Sequence, residues 1–177
     1  MFRKLTNVEL GRISLDEYRK AEKVPVVLVL DNVRSQHNVG SAFRTGDAFR
    51  IEKICLCGIS ATPPTPEIHK AALGTEFSVD WVHYDTALEA VKALREEGYT
   101  VVSVEQAEGA TQLQDFRPEP DRRYALVFGN EVRGVAQEVV DASDLCLEIP
   151  QYGTKHSLNV SVSVGIVLWN IILHNFR

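Results

Sequence analysis

The sequence lacks most of the features that would assign it early. It has 3 cysteines in 177 residues, Cys55, Cys57 and Cys146. An odd number without paired spacing excludes a disulfide framework. Cys55 and Cys57 are read as facing opposite sides of a strand, which leaves them as buried, reduced thiols of a cytoplasmic protein and not as ligands of a shared metal. No apolar run reaches the roughly 18–20 residues of a membrane span. Residues 158–173 come nearest, and Asn159, Ser161, Ser163 and Asn170 interrupt them. The Met1 end shows no charged-then-apolar signal pattern, which argues against secretion. Basic charge is not in excess: the net charge is −5. A strongly basic nucleic-acid binder is therefore excluded at the level of the whole chain, and any such role must rest on how the charge is distributed. Internal repeats, low-complexity tails and metal-ligand spacings are missing as well.

What remains is ordinary globular composition, 45% hydrophobic and 24% charged, in a chain long enough for one good core and too short for two comfortable domains. Residues 6–22 mix charges with spaced apolar residues and predict one or two short amphipathic helices, so residues 1–23 are read as a helical N-terminal extension and 24–177 as the main domain. Val24 to Leu30 is a continuous apolar run ending in Asp31, the pattern of a strand buried on both faces. Further strands are predicted at Lys53–Cys57, Val79–His83, Thr100–Val104, Tyr124–Phe128 and Leu145–Ile149. Helices are predicted at Asn38–Phe49, Asp85–Glu97 and Val135–Asp141. The alternation argues for an α/β fold, a mainly parallel sheet flanked by helices. Prolines at 63, 64 and 66 are read as a surface loop. The last segment alternates like a strand but is too long for one. As a helix, it puts Leu158, Val162, Ile166, Trp169 and Leu173 on one face, and Asn159, Ser163, Asn170 and His174 on another.

Three clusters fall at the C-terminal ends of predicted strands, the edge where open α/β sheets bind ligands. Asn38-Val39-Gly40-Ser41-Ala42-Phe43-Arg44-Thr45 offers Asn38 or Ser41 as a helix cap, Gly40 for a tight turn or close approach, and Arg44 as a planar fork suited to phosphate. The simpler alternative for these residues, taken alone, is a solvated helix face with an ordinary cap. Phe128-Gly129-Asn130-Glu131-Val132-Arg133-Gly134 brackets an amide and a carboxylate with two glycines, where the backbone could meet a ligand's polar edge; the alternative is a plain tight turn. It is neither a Walker loop nor a G-x-G-x-x-G fingerprint, which weakens a dinucleotide-binding reading. Gln151 to Asn159 crowds amide, hydroxyl, ammonium and imidazole groups into one loop before the last helix, with Ser157 as its N-cap and Asn159 in its first turn. A capped helix behind a decorated loop is the simpler alternative. His69 and Lys70 are a weaker signal, and no partner is identified for His83 or His174.

Taken in order, NVGSAFRT (38–45), LVFGNEVRGV (126–135) and IPQYGTKHSLNVSVSVGIVLW (149–169) resemble the three motifs of the SpoU/TrmH family of RNA ribose 2′-O-methyltransferases, within the SPOUT superfamily. The resemblance runs from about Val24 to His174. It implies a C-terminal part threaded into a trefoil knot, which nothing in composition or periodicity shows. It implies S-adenosyl-L-methionine as cofactor, held by backbone groups near Gly129, Ile149, Gln151 and Leu158. It implies a homodimer with the site at or near the subunit interface, to which the apolar C-terminal helix and the first-motif helix are suited. The family's catalytic arginine matches Arg44, its asparagines Asn38 and Asn159, its acidic residue Glu131 and its serine Ser157.

The implied reaction is transfer of a methyl group to a ribose 2′-hydroxyl of tRNA or rRNA. An arginine side chain is almost never deprotonated in proteins, so Arg44 is read as a clamp on the target phosphate and a stabiliser of the developing alkoxide. Ser157 and Asn159 would hydrogen-bond the ribose or Arg44, and Glu131 would orient Arg44 or pair with it. A basic edge of Arg34, His37, Arg44, Arg50, His69, Lys70, Lys155 and His156 is expected to meet RNA. The rival reading is a catalytically idle RNA- or ribosome-binding module on the same fold. Neither a metal nor a membrane is expected as a partner.

Overall fold

The apolar run at Val24 becomes a central strand of a parallel sheet. The computed structural model describes the backbone of residues 1–175 and the side chains of residues 1–173, so the side chain of His174 lies outside the described residues. The strands are β1 (Val24–Asp31), β2 (Ile51–Cys57), β3 (Asp80–Tyr84), β4 (Thr100–Val104), β5 (Thr111–Gln112), β6 (Tyr124–Phe128) and β7 (Leu145–Glu148). They form one sheet in the order β3-β2-β1-β6-β4-β7-β5, and all the pairings are parallel. Leu28 lies opposite Ile54 on one side and Leu126 on the other. The six predicted strands are present within one or two residues at each end; β5, two residues long, carries no sequence signal of its own.

Helices cover both faces, which is why β1 is apolar throughout and not alternating. Val26, Leu28 and Leu30 point into one cluster with Phe43, Ile54, Leu126, Phe128, Val164, Val167, Leu168 and Ile171. Val27 and Val29 point into the other with Val91, Leu94, Ala125, Val127 and Val139. The first cluster is closed by α2 (Gln36–Ala48), α3 (Pro66–Ala72) and α6 (Val160–Asn175), the second by α4 (Ala87–Glu96) and α5 (Gln137–Asp141). Each fully buried Leu or Val contributes about 1.5–3 kcal/mol through burial. Cys55 and Cys57 both lie in the second cluster. The expectation of opposite faces is wrong, because residues two apart in a strand share a face. Burial pushes the Cys55 thiol up to about 12, which makes it an inert core group.

Other departures are local. Helix α2 begins at Gln36, capped by Ser35, whose side chain accepts from the Asn38 N–H; neither Asn38 nor Ser41 is the cap. Gly40 is therefore inside a helix. A Cβ there would stand 2.6 Å from the Ile68 carbonyl oxygen, so its close approach is to α3, not to a ligand. The proline loop ends in that helix: Thr65 caps α3 and Pro66 opens it, a position where the missing N–H costs nothing. The N-terminal extension contains one short helix, α1 (Leu15–Lys20), with a capping box between Ser14 and Glu17. The last segment is a helix as expected, but it starts at Val160.

Candidate active site

Strands β4, β6 and β7 end side by side at one edge of the sheet, and their loops wall a cavity of about 520 Å³. The wall after β4 is Val104, Glu105 and Gln106; after β6 it is Phe128 to Gly134; after β7 it includes Ile149 and Gln151. His156, Ser157, Leu158, Asn159, Val160 and Ser163 complete it. All four backbone positions expected to hold a cofactor, Gly129, Ile149, Gln151 and Leu158, line this cavity. Of the five positions expected to carry chemistry, Glu131, Ser157 and Asn159 line it, while Asn38 and Arg44 do not.

The loop after β6 is closed on itself. Asn130 and Gly134 exchange backbone hydrogen bonds of 3.0 and 2.9 Å. The Asn130 side-chain oxygen accepts from the N–H groups of Val132 and Arg133, and its amide donates to the Asn32 carbonyl at 2.7 Å. This tightness explains both glycines. A Cβ on Gly129 would lie 2.0 Å from the Gly134 carbonyl carbon, and Gly134 itself has a φ of +68°. The close approach that glycine permits here is of the loop to itself.

Glu131 ties that loop to α2. Its carboxylate accepts from the backbone N–H groups of Arg34 and Ser35, each at 3.1 Å, and from the Asn38 side-chain amide at 3.0 Å. Burial works against its ionisation, but these donors outweigh it and hold the carboxyl below the usual carboxylate range. Asn38 in turn accepts from the Asn159 side-chain amide at 3.2 Å. A continuous chain, Glu131–Asn38–Asn159, thus joins residues from all three sequence clusters.

Three expected roles change. Glu131 does not pair with Arg44: its oxygens serve the start of α2, and Arg44 is exposed further along that helix with no hydrogen bond or ion pair among the described residues. Ser157 is not the helix cap. Asn159 is, because its side-chain oxygen accepts from the Ser161 N–H at 2.9 Å and its carbonyl from the Ser163 N–H at 3.0 Å. Ser157 remains on the cavity wall. Arg50 leaves the basic edge: its carbonyl accepts from Val24 at the opposite, N-terminal end of β1.

Sequence reasoning missed Asp31 and Glu105, which end β1 and follow β4. Asp31 is 3% exposed. Its carboxylate accepts from the Ala136 N–H at 2.9 Å, and that of Glu105 from the Val135 N–H at 2.8 Å. It also missed Gln106, whose side-chain amide donates to the His156 carbonyl at 2.5 Å and pins the loop before α6 to the end of β4. The one available signal was position, since each sits where a strand meets the ligand-binding edge.

No group of three or more His, Cys, Asp or Glu side chains that could hold a metal occurs among the described residues, and none of the described helices is long and apolar enough to cross a membrane.

Comparison with known proteins agrees with this geometry. An AdoMet-bound rRNA methyltransferase from Sinorhizobium meliloti superposes with a TM-score of 0.81 at 26% identity, over 90% of this chain and 61% of that one. The A. aeolicus TrmH/SpoU tRNA modifying enzyme gives 0.76 at 26% identity, over 88% of this chain and 79% of that one. A Staphylococcus aureus protein assigned to the TrmH family of tRNA/rRNA methyltransferases is 28% identical over 157 residues, 89% of this chain and 62% of its own length. The chain thus spans about three-fifths of the length of that curated relative. The model of the SpoU rRNA Methylase family matches residues 25–169. By fold, by the order of its three clusters and by that match, the chain belongs to the SpoU rRNA Methylase family.

Proposed function

We propose that residues 24–177 form the catalytic domain of an RNA methyltransferase that uses S-adenosylmethionine to methylate a ribose 2′-hydroxyl of tRNA or rRNA, with residues 1–23 as a short extension. The observation that carries this reading is the Glu131–Asn38–Asn159 hydrogen-bond chain at the rim of the cavity. It binds the three family motifs into one constellation, which an unrelated binder would have no reason to assemble. Among the structural relatives are an AdoMet-bound rRNA methyltransferase and a protein described through 2-OH methylation of C/U34 on tRNA, the latter with a TM-score of 0.71 at 28% identity over 82% of this chain and 94% of that one.

The residues present suit the cofactor. The cavity lies within the size range of small-molecule sites. Apolar Val104, Phe128, Ile149 and Leu158 offer surfaces for an adenine, and Gln106, Gln151 and the loop backbone offer polar partners. Gly129, Ile149, Gln151 and Leu158 would hold it. When bound, S-adenosylmethionine supplies a methyl group already activated on a sulfonium. The chain must then orient the hydroxyl and ease loss of its proton. Arg44 has no hydrogen-bond or ion-pair partner among the described residues to give up, and it clamps the target phosphate while stabilising the developing alkoxide. Asn159 and Ser157 orient the ribose, and Glu131 acts through Asn38 and the start of α2 rather than on Arg44. The proton passes to the phosphate or to water.

A homodimer fits α6. Val162, Ile166, Trp169 and Leu173 are exposed along it, while Val164, Val167, Leu168 and Ile171 fill the core, so the helix has a second apolar face open to a partner. The family resemblance also implies a trefoil knot in the C-terminal part, and the Gln106–His156 bond holds the chain before α6 against the chain leaving β4.

The test is direct. Titration calorimetry with S-adenosylmethionine, followed by ribose-methylation mapping of total RNA from a deletion strain and its parent, is expected to show cofactor binding and one lost methylation. RNA binding without cofactor binding would instead establish the idle module. Arg44→Ala is expected to abolish transfer with cofactor affinity within about twofold of wild type, and full activity in Arg44→Lys would overturn the bidentate clamp.

A further inference from the structure

The loop after β6 is gripped from both sides. In the sheet, β6 lies between β1 and β4. The carboxylate that ends β1, Asp31, accepts from the Ala136 N–H at 2.9 Å; the carboxylate that follows β4, Glu105, accepts from the Val135 N–H at 2.8 Å. Two acids from opposite neighbours thus hold consecutive amides at the point where the loop, having doubled back on itself, leaves for α5. Both are anchored in turn: the other Asp31 oxygen accepts from the Asn32 side chain at 2.8 Å, and the other Glu105 oxygen from the Gln106 N–H at 2.9 Å. The Glu105 carboxylate also packs close against the loop, since a Cβ on Gly134 would stand 2.1 Å from one of its oxygens. Hydrogen bonds to ionised acceptors are about twice as strong as neutral ones. Asp31 is 3% exposed, where water cannot take over as acceptor.

We propose that Asp31 and Glu105 are positioning residues that preorganise the Gly129–Gly134 wall of the cavity, so that ligand affinity depends on them more than global stability does. A short loop between a strand and a helix needs only a small displacement of its foot to swing its tip, and the tip carries Asn130 and Glu131. Preorganisation raises affinity by removing the ordering cost at the moment of binding. The inference rests on the reading of the cavity as the S-adenosylmethionine site, but the clamp has an observable of its own, the protection of two amides.

The variant to make is Glu105→Ala, because Glu105 is half-buried and its loss leaves the core intact; Asp31→Asn is the second, keeping the shape of a residue whose truncation could unfold the chain. Hydrogen exchange at the Val135 and Ala136 amides, calorimetric affinity for S-adenosylmethionine and the melting temperature are measured on each. Faster exchange at those amides is expected, with affinity weakened about ten- to hundredfold and a melting temperature that moves by only a few degrees. Unchanged exchange overturns the clamp. So does wild-type affinity in either folded variant, or an affinity loss that merely tracks the unfolded fraction. If the wild-type protein does not bind S-adenosylmethionine, the functional reading fails, and exchange at the two amides alone decides the clamp.

Discussion

Glu131 commits its carboxylate to three donors at the start of α2, and that commitment has a pH signature. Its folded pKa lies below the unfolded value of about 4.3 because donors outweigh burial. A depressed acid stabilises fully above the unfolded pKa, and the contribution is lost as pH falls through the folded value. In Glu131→Gln this acid limb is expected to disappear from denaturation curves taken between pH 7 and pH 3. The stability difference at pH 7 should stay near or below about 1 kcal/mol, because the group is open to water, while turnover falls much further. Asp31 and Glu105, by contrast, were invisible at the residue level. An acid at the end of a strand has many uses, and only the neighbouring loop shows which one applies.

At the level of elements, the caps decide where function sits. Asn159 is both the N-cap of α6 and the donor to Asn38. Asn159→Ala should therefore cost about 1 kcal/mol from the lost cap, read as a modest fall in melting temperature, and more than tenfold in turnover. A fall in stability alone would reduce the residue to a cap. The misplaced starts of α2 and α6 share one cause. Ser35, Asn38, Ser41, Ser157 and Asn159 can all cap by chemistry, and sequence does not rank them. Helix α3 was hidden for a similar reason: three prolines read as loop, and whether the third opens a helix depends on the apolar neighbours that reward it.

At the scale of the molecule, two surfaces stand out. The homodimer proposed on the exposed stripe of α6 predicts a dimeric wild type by light scattering and a monomer for Ile166→Glu combined with Trp169→Glu, with the fold intact because both side chains are exposed; a monomeric wild type would overturn the dimer, and an unchanged dimer in the variant would place the interface elsewhere. Arg133 and His156 line the cavity, and Arg34 meets its wall through the Glu131 carboxylate, on a chain whose net charge is −5. RNA affinity should therefore fall steeply and linearly on a log–log plot against salt, measured by filter binding, and a flat dependence would argue against phosphate contacts.

Local pattern alone determined the fold class and six of the strands; the four cofactor positions on the cavity wall came from the resemblance to the family, and Glu105 and Gln106 on that wall carried no signal beyond their position. Strand runs and turn glycines report on backbone conformation, and the ligand-binding edge of a parallel sheet follows from their order. Tertiary structure decided the partners. It assigned Glu131 to α2 instead of Arg44, and Asn159 instead of Ser157 to the cap. It set Arg50 on the far edge, turned Val162 and Ile166 outward, and closed Asp31 and Glu105 on the same loop. Those facts depend on which strand lies beside which, and residues about a hundred positions apart, such as Asp31 and Ala136, meet only once the sheet has formed.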